Sequence, residues 1–285
     1  MSELPMHILR SVRRYQPIET DGLTLWPVLV REYENFLIAR SALEVMHQSL
    51  PVAMMRVPLL SALYQMDFDA VLNGEQPVGL FSRALLMLAL SLRLGEGLST
   101  EERMRQFRMM VDHENPAKLV ALRFTDNDGE EHDITPALYA KLRPIIAAQN
   151  GVKLETDSAN PDIVKARKMM AAANAGNLDP NLDDLICAVS VLTRTDEEAI
   201  DEWPILKLEK TSRAYERVLG YLVCGISEGS GATWKTGNPV PHPFFAKLDN
   251  GAGLFAPLGS TDNKDGKTDA PERIRRIAEQ TIQYP

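Results

Sequence analysis

The stretch LFSRALLMLALSLRL, residues 80–94, is the most apolar part of the chain and decides the fold class that we expect. It is shorter than the roughly 20 residues that a membrane-spanning helix needs, and it carries Arg83 and Arg93. Gly95 and Gly97 follow it and favour the end of a helix. The sequence therefore predicts a helix in the protein core and not a membrane anchor.

Helical patterns lie on both sides of this stretch. The segment VREYENFLIARSALEVMHQSL (residues 30–50) has apolar residues largely at helical spacing and is followed by Pro51, and PLLSALYQM (58–66) predicts a second, short helix. Ser99 and Glu102 form a capping box, which predicts a helix over TEERMRQFRMMV (100–111). Residues 1–117 are therefore expected to form a helical amino-terminal lobe.

The period of the pattern then changes. LVALRF and EEHDI flank the turn sequence TDNDG, which predicts two antiparallel strands over residues 119–134. Thr135 and Pro136 then begin a helix that contains Pro144, where we expect a kink or a break.

Further helices are expected over residues 161–175, 182–192 and 205–226. In the last of these, five apolar side chains lie on or near one face: Leu206, Tyr215, Val218, Leu219 and Leu222. The expected fold is mainly α and resembles a helical bundle, with one small antiparallel β-hairpin, so it is α+β at most. The hairpin and these helices would form a second lobe over residues 118–228, followed by a Gly/Pro-rich and partly irregular tail over 229–285.

Composition limits the possible functions. The 285 residues carry a formal net charge of -8, and the amino terminus has no apolar segment of signal-peptide length. Nucleic-acid binding is disfavoured, because the electrostatic contribution from counterion release works against an acidic protein unless it has a local basic patch. We therefore expect an intracellular protein that binds neither nucleic acid nor membrane.

No pattern in the sequence predicts a metal, cofactor or catalytic site. GSGATWKTG (residues 229–237) lacks the Gly-Lys pair and the strand-loop-helix context of a phosphate-binding loop, and no serine lies in a G-x-S-x-G turn. The histidines lack metal-binding spacing; they are His7, His47, His113, His132 and His242. The acidic pairs Asp183-Asp184 and Glu197-Glu198 are explained by positions in the first turns of helices.

The cysteines and methionines are expected to be structural. Cys187 and Cys224 lie in apolar helical segments, where a free thiol usually belongs to the core. We expect the same of most of the paired methionines, which include Met54, Met109 and Met110.

Aromatic residues near the carboxyl terminus are the candidate partner-binding residues. They are Trp203, Trp234, His242, Phe244 and Phe245, and all but the first lie in the polar, Gly-rich tail. Exposed aromatic side chains are typical of protein interfaces. The alternative is that this arm folds back onto the helical body.

The order of these features resembles the tail and baseplate assembly proteins of myovirus-like phages and prophages. The resemblance is carried by GLTLWPVLVREYENFLIARSALEVMHQSLP, ITPALYAKLRPIIAAQNGV and GSGATWKTGNPVPHPFF, and it covers most of residues 20–245. AVSVLTRTDEEAIDEWPILKLEKTSRAYERVLGYL also resembles helices of phage tail assembly chaperones. The chain departs from that pattern at Arg194, where glycine is usual.

The resemblance implies a non-enzymatic assembly factor or minor structural component of a phage-type contractile tail or baseplate. Its partners would be tail proteins such as the tape measure, hub or wedge proteins, and it would act in the bacterial host cytoplasm or remain in the virion tail. The alternatives are a phage-encoded hydrolase or lytic factor, and a generic intracellular adaptor or regulator.

Overall fold

The computed structural model describes residues 4–154, 166, 181–230, 240 and 243. The chain divides into two compact units, of which one comprises residues 1–161 with 201–206 and the other residues 162–200 with 207–285. The three-segment division expected from the sequence stays a prediction.

The first unit contains most of the described helices and both described sheets. Its helices are α1 (Met6–Arg13), α2 (Tyr33–Leu43), α3 (Leu59–Leu72), α4 (Leu80–Leu92), α5 (Thr100–Met104) and α6 (Pro136–Gln149). Its strands are β1 (Ile18–Thr20), β2 (Leu23–Leu25), β3 (Arg108–Val111), β4 (Leu119–Thr125) and β5 (Glu131–Ile134).

Helix α4 is the centre of this unit, as its apolar sequence predicts. The helices α2, α3 and α5 and the strand β2 all contact it. Of its 13 residues, ten are buried, including Met87 and Leu88. Since truncating a buried leucine to alanine usually costs about 2–5 kcal/mol, this helix contributes much of the stability of the unit. Among the described residues, none of the helices combines the length and apolar character needed to cross a membrane.

The predicted hairpin is confirmed and is part of a larger sheet. β4 pairs with β5 in antiparallel register, with Leu122 opposite Ile134, and β3 pairs with the other edge of β4. The helix predicted over residues 100–111 is therefore wrong beyond Met104, because Arg108–Val111 form a strand. The capping box at its start is confirmed: Ser99 accepts from the backbone N–H of Glu102, and the Glu102 carboxylate accepts from that of Ser99.

Helix α6 begins where the sequence predicts. The Thr135 hydroxyl accepts from the backbone N–H of Leu138, and Pro136 takes the first helical position. Pro144 lies inside α6 and does not break it. The buried Asn150 after the helix accepts from the backbone N–H of Val28 at 2.8 Å, which ties the end of α6 to the segment before α2.

The second unit contains α7 (Leu182–Thr193), most of α8 (Glu197–Asp201) and α9 (Ile205–Gly229) from Lys207 onward. Asn181 caps α7 by accepting from the backbone N–H of Asp183. Of the helix expected over residues 161–175, the structure describes Ala166 alone, which is helical. The mainly helical fold class is confirmed, with antiparallel sheets of two and three strands in the described part of the chain.

Candidate functional site

Trp203 is the one predicted partner-binding residue that the structure describes. It is partly buried, and its carbonyl accepts from the backbone N–H of Val30 at 2.8 Å. Its neighbour Pro204 forms an antiparallel bridge with Leu29. Trp203 is thus held by backbone pairing within the first unit. The other four candidates lie outside the described residues: Trp234, His242, Phe244 and Phe245.

Helix α9 has a face that is charged and yet buried. Glu209, Arg213 and Arg217 follow one another at four-residue spacing and are 7%, 7% and 4% exposed. The Arg213 Nη2 lies 3.2 Å from the Glu209 Oε1. Because charged side chains are almost never fully buried unless paired, this face is an internal polar contact and not a solvated one.

A different face of α9 is apolar and exposed. Leu219, Leu222, Val223 and Ile226 are 49%, 54%, 61% and 70% exposed, and we call these four residues the apolar stripe. At about 100° of rotation per residue, they lie within roughly 100° of each other, on one side of the helix. No residue of α9 from Val218 to Gly229 is buried, so the stripe lies on an end of the helix that is exposed or half-exposed on every side.

Helix α7 contributes exposed apolar side chains in the same unit. Val191 is 73% exposed and Leu192 is 39% exposed. The Tyr215 hydroxyl of α9 donates to the Leu192 carbonyl at 3.2 Å, which joins the end of α7 to α9 one helical turn before Leu219. The second unit therefore presents exposed apolar residues on both of its long described helices.

One residue of the carboxy-terminal arm contacts α9. A Cβ placed on Gly220 would lie 3.5 Å from the Cγ2 of Val240. Gly220 lies on the charged face, between Glu209 and Arg213 in rotation about the helix axis. Val240 thus contacts α9 outside the apolar stripe.

The expectation that both cysteines belong to the core is wrong. Cys187 is exposed and Cys224 is partly exposed. A hydrogen bond to the Glu197 carboxylate, and the charge of that group, raise the pKa of the Cys187 thiol. Burial and the nearby Glu228 raise the pKa of the Cys224 thiol. Both effects favour the protonated thiol, whereas a nucleophilic cysteine needs a lowered pKa.

The β4–β5 turn brings together three groups of metal-ligand type that the sequence did not single out. Ligand atoms of Asp126, Glu130 and His132 lie within 4.8 Å of each other. However, Asp126 already accepts from the backbone N–H groups of Asp128 and Glu130, and its second oxygen lies 2.8 Å from the His132 Nε2. These bonds lower the pKa of Asp126, the bond from His132 most. They are those of a tight turn, and the cluster is explained as a structural one.

The first unit also has a small pocket beside α4 and α5. Its charged lining residues are Arg31, Glu32, Arg93, Glu96 and Arg103. These pair with each other: Arg103 with Glu32, and both Arg31 and Arg93 with Glu96. The volume open to a water-sized sphere is about 10 Å³, which is roughly the room that one water molecule needs. The pocket is therefore too small for a substrate.

Of the sites described above, the apolar stripe is the one with the exposure and chemistry of a binding surface, and periodicity in the sequence placed Leu219 and Leu222 on one face. What the sequence did not reveal is that this face is exposed. The comparisons with known proteins add no relative from which a function could be carried over: no protein-family model, no curated protein and no solved structure matches the chain.

Proposed function

We propose that this protein binds other polypeptides through the apolar stripe, as an assembly factor or minor structural component of a phage-type contractile tail or baseplate. The observation that carries the proposal is the exposure of Leu219, Leu222, Val223 and Ile226 on one side of α9. Contiguous exposed apolar side chains mark protein interaction sites in soluble proteins.

The energetics support a binding role for the stripe. Full burial of a leucine, isoleucine or valine side chain is worth roughly 1.5–3 kcal/mol, so a partner that covers the stripe would gain several kcal/mol before the entropy of association is subtracted. The spacing of 219, 222, 223 and 226 is that of an amphipathic helix that binds in a groove or against another helix.

The identity of the partner rests on the resemblance described above. It favours tail proteins such as the tape measure, hub or wedge proteins, and an action without catalysis in the bacterial host cytoplasm or the virion tail. The net charge of -8 supports a protein partner over a nucleic acid.

The proposal can be tested by affinity capture from phage-producing cells. We expect the tagged wild-type chain to retain tail proteins, and the double variant Leu222→Glu with Val223→Glu to lose them. The matched control is Val71→Glu with Leu72→Glu, an adjacent apolar pair of similar exposure (62% and 69%) at the end of α3. Unchanged circular dichroism and thermal unfolding would establish that each variant is folded.

Two results would contradict the proposal. In the first, the double variant of the stripe captures tail proteins as well as the wild type and the control variant do. In the second, the wild type captures no tail protein. Mass spectrometry of purified particles separates the two roles: a defined copy number indicates a structural component, and presence in lysate complexes alone indicates a chaperone.

A further inference from the structure

Strand β3 forms an edge of the three-stranded sheet in the first unit. Among the described strands it pairs with β4 alone, in the strand order β3-β4-β5. All four of its residues are exposed, and its apolar members Met109, Met110 and Val111 are 52%, 40% and 40% exposed. The expectation that Met109 and Met110 belong to the core is therefore wrong.

The free edge of β3 offers an apolar surface to another strand. The N–H and C=O groups of an edge strand pair readily with a further strand, and native proteins limit this with short strands, charged side chains, proline, bulges or a covering element. The three apolar residues of β3 are preceded by Arg108 and followed by Asp112. The edge therefore has opposite charges at its two ends.

A row of charged residues crosses the sheet and reaches this edge. Arg123 of β4 lies opposite Asp133 of β5 and binds it through two hydrogen bonds of 2.8 Å. On its other side, Arg123 lies opposite Arg108. Like charges directly opposite each other destabilise a sheet, so the row would be completed by a carboxylate beyond Arg108.

We propose that β3 pairs with β3 of a second copy of this chain, antiparallel and around a two-fold axis at Met110. In this register Arg108 lies opposite Asp112 of the second copy, and Met109 lies opposite Val111 of the second copy. Positions 108, 110 and 112 share one face of a strand, since successive side chains alternate. The two sheets join into one sheet of six strands, and the added carboxylate completes the row of charges.

Asp112 is able to accept this additional partner. Its Oδ1 accepts from the backbone N–H of Glu114, and its Oδ2 lies 2.9 Å from the Lys118 Nζ. A carboxylate has about four lone-pair sites, and the side chain of Asp112 is 29% exposed. A register shifted by one residue would place Arg108 opposite Val111 and lose the charge pairing.

The pairing can be tested by exchanging the charges. In Arg108→Asp the dimer would hold two aspartates against each other at each contact, and in Asp112→Arg it would hold arginine against arginine. We expect analytical ultracentrifugation to find the wild-type full chain as a dimer at tens of micromolar, with at least a tenfold loss of dimer affinity in each variant. We expect an equimolar mixture of the two variants to recover the dimer. One variant then carries aspartate at both 108 and 112 and the other carries arginine at both, so each contact of the mixed dimer pairs an aspartate with an arginine.

The mixing result separates a pairing role from a merely structural one, since a folding defect would not be repaired by mixing. A wild-type chain that is monomeric under these conditions overturns the proposal. A dimer that neither variant weakens, or that mixing does not restore, overturns it as well.

The register has its own measurement. With Cys187 and Cys224 replaced by serine, Met110→Cys places two thiols at the two-fold axis, where opposite Cα atoms lie within the 4.4–6.8 Å that a disulfide spans. We expect disulfide-linked dimers on mild oxidation of this variant, and at least tenfold slower linkage of Val120→Cys, an exposed position on β4. Equal rates for the two cysteines would contradict the register. The proposal concerns the first unit and is independent of the apolar stripe.

Discussion

Arg103 of α5 donates from its Nη2 to the Oε1 of Glu32 at 2.6 Å, and the two side chains are only 4% and 17% exposed. This ion pair joins α5 to the turn before α2. The second carboxylate oxygen of Glu32 accepts from the Asn35 side chain at 2.9 Å. Glu32 is thus a largely buried carboxylate whose negative charge is compensated by the Arg103 guanidinium.

We predict that Arg103→Met lowers the free energy of unfolding by about 3 kcal/mol, since removal of one partner leaves a buried charge uncompensated. The control is Arg105→Met, whose ion pair with Glu101 spans 3.9 Å between side chains that are 77% and 81% exposed. That variant should be nearly neutral. Urea unfolding measures both, and equal effects of the two variants would argue against a structural role for the pair.

The hydroxyl of Tyr139 leads to a prediction on pH. Tyr139 is fully buried on α6, and its hydroxyl has no hydrogen-bond partner in the described part of the chain. Burial raises its pKa to about 12. The unfolded chain therefore loses this proton near pH 10, and the folded chain loses it only near pH 12. The free energy of unfolding is therefore unaffected by this group below pH 10 and falls as the pH rises from 10 toward 12.

Tyr139→Phe lacks this group and should not show that loss. At pH 7 we expect the variant to be more stable than the wild type by about 1 kcal/mol, because an unsatisfied buried hydroxyl is removed. Between about pH 10 and 12 the advantage should grow by up to about 2 kcal/mol. Chemical denaturation at a series of pH values measures the difference, and a constant difference across this range would refute the assignment.

Two arginines in left-handed backbone conformation should respond in opposite ways to glycine. Arg194 ends α7 with φ of 55°, and Arg93 ends α4 with φ of 54°. A left-handed conformation costs a residue with a Cβ roughly 1–2 kcal/mol, and glycine is the preferred residue there. The Arg93 guanidinium, however, lies 4.1 Å from the centre of the Trp26 ring and pairs with Glu96.

We therefore predict that Arg194→Gly raises the melting temperature. The free energy of unfolding should rise by about 0.5–1 kcal/mol, which is the relief of backbone strain minus the larger conformational entropy that glycine loses on folding. Arg93→Gly should lower it, because the contacts to Trp26 and Glu96 are lost. Differential scanning calorimetry compares the two variants. A fall in melting temperature for both would show that Arg194 makes a contact of its own that outweighs the backbone strain.

The parts of the fold that follow from local signals were predictable. The apolar run of α4, the Ser99 capping box, and Thr135 with Pro136 each specify a structure within a few residues of chain. Strand β3 was not predictable in this way, because Arg108–Val111 also continues the pattern of the preceding helix. Its conformation is set by pairing with β4, which comes later in the sequence.

The candidate site was predictable only in part. Periodicity shows that Leu219 and Leu222 share a face of α9, but it does not show whether another element covers that face. The buried charges of Glu209 and Arg213 contradict the usual rule that charged residues face solvent. Cys187 was misassigned for the same reason, since its apolar surroundings in sequence are those of a helix with an exposed apolar side.

The most direct test of a protein-binding role for the apolar stripe is site-specific photo-crosslinking in phage-producing cells. A photoreactive amino acid at position 222 is compared with the same residue in place of Glu228, which is exposed and lies on the opposite side of α9 from the stripe. We predict that position 222 gives a discrete covalent adduct with a tail or baseplate protein, identified by mass spectrometry, and that position 228 does not. Equal labelling from both positions, or no adduct from position 222, would contradict the account.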